Sequence, residues 1–271
     1  MARHRELQRA AHMAGLAWLA LAFLAIPRVG SAQVFTPARA QSFDRGDRES
    51  RALLSNLRCA QGVANLRARG AFGPVDSLGR TGQCVVIDGK RIGVFLDADS
   101  LFTRVTRFAA VDFATRSRWT APLDTAAILA VAKAELAGQM EGLKAYEDAK
   151  RQYSPFAFRF DGDSIEVWMI PEAVLLGQPL TVGGERGYIF SPDGRTLVRR
   201  IDDFGELRTI AAPDTGTVSI SSHGRDVPTL TEFMLANALN EQGRMVSIST
   251  PWGQAVLVGT GASARWLQLT R

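Results

Sequence analysis

Apolar residues in this chain recur at two spacings, the three-to-four-residue steps of a helix and the two-residue steps of a strand. From Arg48, the stripe Leu53, Leu57, Ala60, Ala64 predicts a helix that stops at Gly70. Cys84 to Leu96 reads as a hairpin, because Asp88-Gly89 supplies a positive-φ turn between two apolar runs. Leu101 to Phe113 is expected as a third strand, although Leu101, Val105 and Phe108 also fit helical spacing. From Asp124 or Thr125 to Lys150 the pattern is helical again. Leu129, Ala132, Leu136, Met140 and Leu143 form the stripe expected to face the core, and Lys133, Glu135, Glu141 and Lys144 lie largely off it.

Strands dominate the next stretch. Phe156, Phe158 and Phe160 alternate up to the turn Asp161-Gly162-Asp163, and the return strand sends Ile165, Val167 and Met169 one way, Glu166 and Trp168 the other. A second hairpin, Gly187 to Ile201, turns at Pro192-Asp193-Gly194, with shorter strands at Glu206–Ile210 and Thr217–Ser221. Thr229 and Glu232 form a capping box ahead of Phe233, Met234, Ala236 and Leu239, and Gly243 ends that helix. Met245–Thr250, Ala255–Gly259 and Trp266–Leu269 close the chain as strands. Helix then hairpins, three times over, predicts an α+β fold with helices packed on antiparallel sheets built from consecutive hairpins.

The first segment reads as an address. Arg3, Arg5 and Arg9 precede an apolar run from Ala10 to Ile26, Pro27 breaks it, and Gly30 and Ala32 are the small residues a leader peptidase reads. Cleavage is therefore expected between Ala32 and Gln33. Left uncleaved, the segment would be the chain's attachment to a membrane. The expected organisation is a signal peptide at 1–32, a linker at 33–47, an N-terminal α+β subdomain at 48–122, and a second α+β region at 123–271 that closes with a helix and hairpin. The expected location is the periplasm or the exterior.

With 271 residues, 46% hydrophobic and 22% charged, the chain falls outside the disordered and multi-span membrane classes. The leader holds four basic side chains and one acid, so its loss lowers the net charge from +5 to +2, which gives no reason to expect nucleic acid as a partner. Cys59 and Cys84 are the only cysteines, and in an oxidising compartment they are expected to form a disulfide between helix and hairpin.

Candidate chemistry is sparse. Gly259 to Ala264 spells the dinucleotide pattern G-x-G-x-x-A, but too little chain follows for the helix that holds a pyrophosphate, so a hairpin turn is expected. Asp97-Ala-Asp99-Ser resembles the first motif of haloacid-dehalogenase-type phosphatases. That resemblance would make Asp97 the nucleophile and Asp99 the acid/base, with Asp202 and Asp203 as distal metal acids and Lys144 or Lys150 as the phosphate clamp. The hairpin context speaks against it. Asp97/Asp99 and Asp161/Asp163 do not continue into the calcium-loop ligand series, and no metal or cofactor is expected. His223 is the sole imidazole after residue 32, so a serine hydrolase would have to use it, beside Ser221 and Ser222. Trp168, Glu166, Arg159 and Arg200 could share a solvent-facing sheet surface.

A long amphipathic helix followed by F-x-F-x-x-D-G-D, I-E-V-W-x-I-P and S-P-D-G-R-T-L-V-R-R, within about 124–220, resembles the helix-plus-hairpin unit of PepSY-like or cystatin-like domains in uncharacterised exported bacterial proteins. The resemblance implies a binding or inhibitory role in the envelope and names no catalytic residue. The expectation is an envelope binding or accessory protein without intrinsic catalysis, its partner an unidentified envelope protein or small ligand. The alternative is an envelope hydrolase, a D-x-D phosphatase or a serine hydrolase. Intact mass spectrometry of the exported protein should give a chain beginning at Gln33 and lighter by two hydrogens than its reduced form.

Overall fold

The computed structural model describes residues 36–68, 81–88, 90–99, 104–145, 152–176, 179–201, 205–211 and 216–270. The expected leader, its expected cleavage point between Ala32 and Gln33, and residues 33–35 of the expected linker lie outside them. Among the described residues no helix is long and apolar enough to cross a membrane.

The first helix, α1 (Pro37–Ala68), begins well before Arg48, so 37–47 is helical and not an irregular linker. Two local causes stand at its start: the Thr36 hydroxyl accepts from Arg39 N at 3.3 Å, and Pro37 brings a helical φ to the first position. The tertiary cause is Phe43, fully buried, its ring edge-on to Phe233, Trp252 and Trp266. Gly46 lets α1 approach closely, since a Cβ there would lie 2.6 Å from the Phe233 ring.

The first sheet runs in order β1 (Thr81–Ile87), β2 (Lys90–Ala98), β3 (Val105–Asp112), β4 (Ser117–Arg118), all antiparallel. Ile87 pairs with Lys90 across the expected two-residue turn, and Asp88 has φ of 49°. One face packs Val63 of α1 against Phe95 and Val111, and the other packs Ile92, Val94 and Leu96 against Leu123 and Ile128.

The helix α2 (Thr125–Ala145) precedes the second sheet, in order β5 (Tyr153–Arg159), β6 (Ile165–Pro171), β8 (Arg186–Phe190), β9 (Leu197–Ile201). Between β6 and β8 the chain inserts α3 (Glu172–Leu176) and β7 (Thr181–Val182); β7 pairs with β10 (Arg208–Thr209). Helices cover both faces of this sheet. Leu53 and Leu54 of α1 pack on Phe156, Phe158, Trp168 and Ile170, while Ala130 and Ala134 of α2 pack on Ala157, Ile165, Val167 and Met169. Every residue of β6 is buried as a result.

This arrangement corrects the expected core stripe of α2. Leu129 and Ala132 are buried, but Leu136, Met140 and Leu143 are 44%, 53% and 59% exposed. The face on the sheet is made instead of Ala134, Gly138 and Gly142; a Cβ on Gly138 would lie 2.6 Å from Val167 Cγ1. Close approach of backbone to sheet, not side-chain size, decides which face turns inward.

The third sheet runs β11 (Thr217–Ser221), β12 (Met245–Thr250), β13 (Gly253–Val258), β14 (Arg265–Thr270). Here β11 and β12 are parallel, joined through α4 (Leu230–Glu241), which is the exception to the antiparallel expectation. The capping box is present: Glu232 Oε2 accepts from Thr229 N at 2.8 Å, and Thr229 Oγ1 accepts from Glu232 N at 3.3 Å. The G-x-G-x-x-A stretch forms a short 3-10 turn between β13 and β14.

Asp47 joins the first helix to the last elements. Its Oδ1 accepts from the Asn237 amide and the Trp266 indole, each at 2.9 Å, and its Oδ2 from Arg51 Nε at 2.9 Å. Asp47→Ala removes the acceptor of all three donors and should cost about 2 to 4 kcal/mol of unfolding free energy. Urea denaturation reads this directly, and a loss below about 0.5 kcal/mol would refute the assigned role.

Candidate functional site

Where α1, the β1–β2 hairpin and the start of α2 meet, they border a cavity of about 560 Å³ that opens to solvent, within the size range of small-molecule sites. Ala52, Ser55, Asn56 and Cys59 form its α1 wall, Val85 and Ile87 its β1 wall, Ile128 and Val131 its α2 wall, and Phe158 reaches it from β5. The four α1 positions share one helical face, and their small side chains leave the space open. Its cationic lining groups are Arg91 and Arg159.

Cys59 and Cys84 stand at disulfide distance, Cα to Cα 5.9 Å, and both line the cavity. They fasten α1 to β1 at the point where the two walls meet. The Asn56 amide donates to the Ala157 carbonyl at 3.4 Å, which holds the other side of α1 to the second sheet. Arg159 Nη1 and Nη2 donate to the carbonyls of Asp163 and Pro192 at 2.6 and 3.0 Å, tying together the turns of two hairpins.

Acids are buried around this junction. Glu166 is 1% exposed and Trp168 5%, so they do not belong to a solvent-facing surface as expected; α1 covers them. Glu166 accepts from Trp168 Nε1 at 3.3 Å and from Arg45 Nη2 at 3.2 Å. Beside it, burial first, then the hydrogen bond to Glu166 and the repulsion of its charge, push the Glu49 carboxyl up to about 9; Arg45 acts in the opposite direction. Glu49 is therefore protonated at neutral pH. Burial also raises Glu135 to about 7, against the opposing hydrogen bond from Gln83. Arg200 turns to Glu141 on α2, away from this pair.

The structure disperses the candidate catalytic residues. Asp97 faces Arg107 in the β2–β3 register, and Asp99 Oδ1 accepts from Arg104 N at 3.2 Å, so both acids belong to a hairpin and are followed by β3 where the phosphatase motif has a helix. Asp202, Asp203 and Lys150 lie outside the described residues, and Lys144 donates to Glu141 at 2.9 Å. His223 occupies an exposed turn with φ of 51°, and the Ser222 hydroxyl beside it donates to the Arg225 carbonyl at 2.7 Å. Among the described residues no group of three or more His, Cys, Asp or Glu could hold a metal ion. The cavity itself was missed by pattern reading. Its available signal was the small-residue face Ala52, Ser55, Asn56, Cys59 on a helix whose next stripe is leucine.

The chain matches no protein-family model, and neither the curated proteins nor the solved structures provide a match.

The buried acids set a direction for pH dependence. A carboxyl raised on folding stabilises fully below its unfolded pKa, and that contribution is lost as pH rises through the folded value. For Glu49 the window runs from about 4.5 to about 9, and for Glu135 from about 4.5 to about 7. Glu49→Gln keeps a donor for Glu166 and removes the ionisation, so it should raise Tm at pH 9 above that of the natural protein and flatten the decline from pH 5. Calorimetry across that range tests it, and parallel pH profiles for the two proteins would count against the assignment.

Proposed function

We propose that this is an exported envelope protein that acts by binding, without intrinsic catalysis, and that the cavity between α1, β1–β2 and α2 is where it takes an apolar small molecule. The observation that carries this is the cavity: about 560 Å³ of space walled chiefly by aliphatic and aromatic groups, with the cysteine pair in its wall. Filling such a space with an apolar ligand removes apolar surface from water on both partners, at about 25 cal/mol per Å². Export is supported by the leader pattern of residues 1–32 and by cysteines placed to bridge. The resemblance of 124–220 to PepSY-like or cystatin-like units supports binding as the mode of action.

The site is built to be stiff. α1 is held above the cavity by Asp47 and at its side by the cysteine pair, so the walls are positioned before a ligand arrives and little ordering accompanies binding. A bridge between Cys59 and Cys84 closes a loop of 25 residues, worth about 3 kcal/mol in the chain-entropy account.

Titration with N-phenylnaphthylamine, which fluoresces in apolar surroundings, should give saturable enhancement. Ser55→Trp, which fills the cavity from the half-buried α1 wall, should weaken it about tenfold or more while preserving Tm. Absence of saturable enhancement, or an unaltered titration in Ser55→Trp, would remove the binding assignment.

A further inference from the structure

A second cavity flanks the other side of α2's first turns. It is a broad cleft of about 990 Å³ between β3, α2 and the β8–β9 turn, and it shares Asp124, Ala127 and Arg159 with the apolar cavity. The two spaces therefore meet around the start of α2, one apolar and the other charged.

The charge in the cleft is unbalanced. Arg104, Lys133, Arg159 and Arg195 line it against Asp124 and Asp193. Both carboxylates are already engaged: Asp124 Oδ1 accepts from Ala127 N at 2.9 Å, and Asp193 Oδ1 accepts from the Ser191 hydroxyl at 2.5 Å and Arg195 N at 3.1 Å. Arg195 Nε lies 3.8 Å from Asp193 Oδ2, an exposed and long pair that contributes little. Arg159 donates to two backbone carbonyls, which hold it in place and leave its charge uncompensated. Among the described residues Arg104 and Lys133 meet no carboxylate at ion-pair distance. Thr106 and Thr125 add hydroxyls to the same lining.

We propose that this cleft is the head-group subsite for the ligand of the apolar cavity, and that the ligand is an amphiphile with an alkyl chain ending in an oxyanion, a phosphate monoester or a carboxylate. The inference rests on the binding role assigned above. The chain occupies the space beside Ile128, Val131 and Phe158, and the oxyanion sits among the four cations, with Arg159 common to both. Guanidinium forks suit a tetrahedral or planar oxyanion because they present paired donors at fixed spacing. Placing the charge in the cleft keeps it hydrated and avoids the desolvation that entry into the apolar cavity would impose.

The test compares dodecyl phosphate, laurate, dodecanol and inorganic phosphate, each by calorimetric titration against the full exported protein and against Arg104→Gln/Lys133→Gln. Dodecyl phosphate or laurate should bind about tenfold or more tightly than dodecanol at low salt. That preference should shrink in the double variant and with added salt, while dodecanol binding stays unchanged. The stronger of the two anionic ligands names the head group. Should the double variant fold poorly, Arg104→Gln alone, at an exposed side chain, makes the same comparison. Equal affinity for dodecanol and both anions overturns the head-group subsite and leaves the cavity assignment standing. Inorganic phosphate binding as tightly as dodecyl phosphate, and indifferent to Ser55→Trp, would make the cleft an independent anion site and overturn the linkage. If none of the three alkyl ligands binds, both assignments fall together.

Discussion

The Asp47 carboxylate accepts from the amide of Asn237 on α4 and the indole of Trp266 on β14, while Arg51, one turn further along α1, donates to the carbonyls of Gly261 and Ala264 at 3.1 Å. These contacts fix how α1 lies over the third sheet. From that end the helix runs past the second sheet at Leu53 and Leu54 and reaches the first at Val63. One helix thus completes parts of several cores, and the sheets are placed relative to one another through it. Its length is the means: 32 residues at 1.5 Å rise give about 48 Å, longer than one sheet is wide.

A cavity is the geometrical by-product of that sharing. The first and second sheets both lean on α1, and the space left between them is bordered by whatever the helix presents there. Small residues at 52, 55, 56 and 59 do not fill it, and α2's first turns roof it from the far side. The same sharing explains the buried acids. Once α1 covers one face of the second sheet and α2 the other, Glu166 has no route to water, and Arg45, the Trp168 indole and a protonated Glu49 stand where solvent would have been.

Much of the fold was legible because local rules and tertiary demands agreed. The Asp88-Gly89 and Pro192-Asp193-Gly194 turns, the Thr229–Glu232 box and the alternation through β5 and β6 all have local physical causes. What escaped was decided elsewhere in the chain. Residues 37–47 read as polar because a single buried aromatic, Phe43, anchors them, and its partners lie far away in sequence. The stripe on α2 misled because hydrophobic size outweighed glycine in the pattern, whereas the sheet selected the face that allowed the closest approach. Parallel pairing of β11 with β12 follows from the helix between them, which the strand patterns do not encode. The cavity left a single mark in the sequence, the small-residue face at 52, 55, 56 and 59, because empty space is a property of three elements at once.

The span from Asp47 to Trp266 is 219 residues. At synthesis rates of 5–20 residues per second, the last partners of the first helix emerge roughly 10 to 45 s after it does. For that interval Phe43 lacks the three aromatic rings it packs on, and any compact state the nascent chain reaches leaves that end of α1 undocked. The junction of α1 with the third sheet therefore closes only after nearly the whole chain has been made.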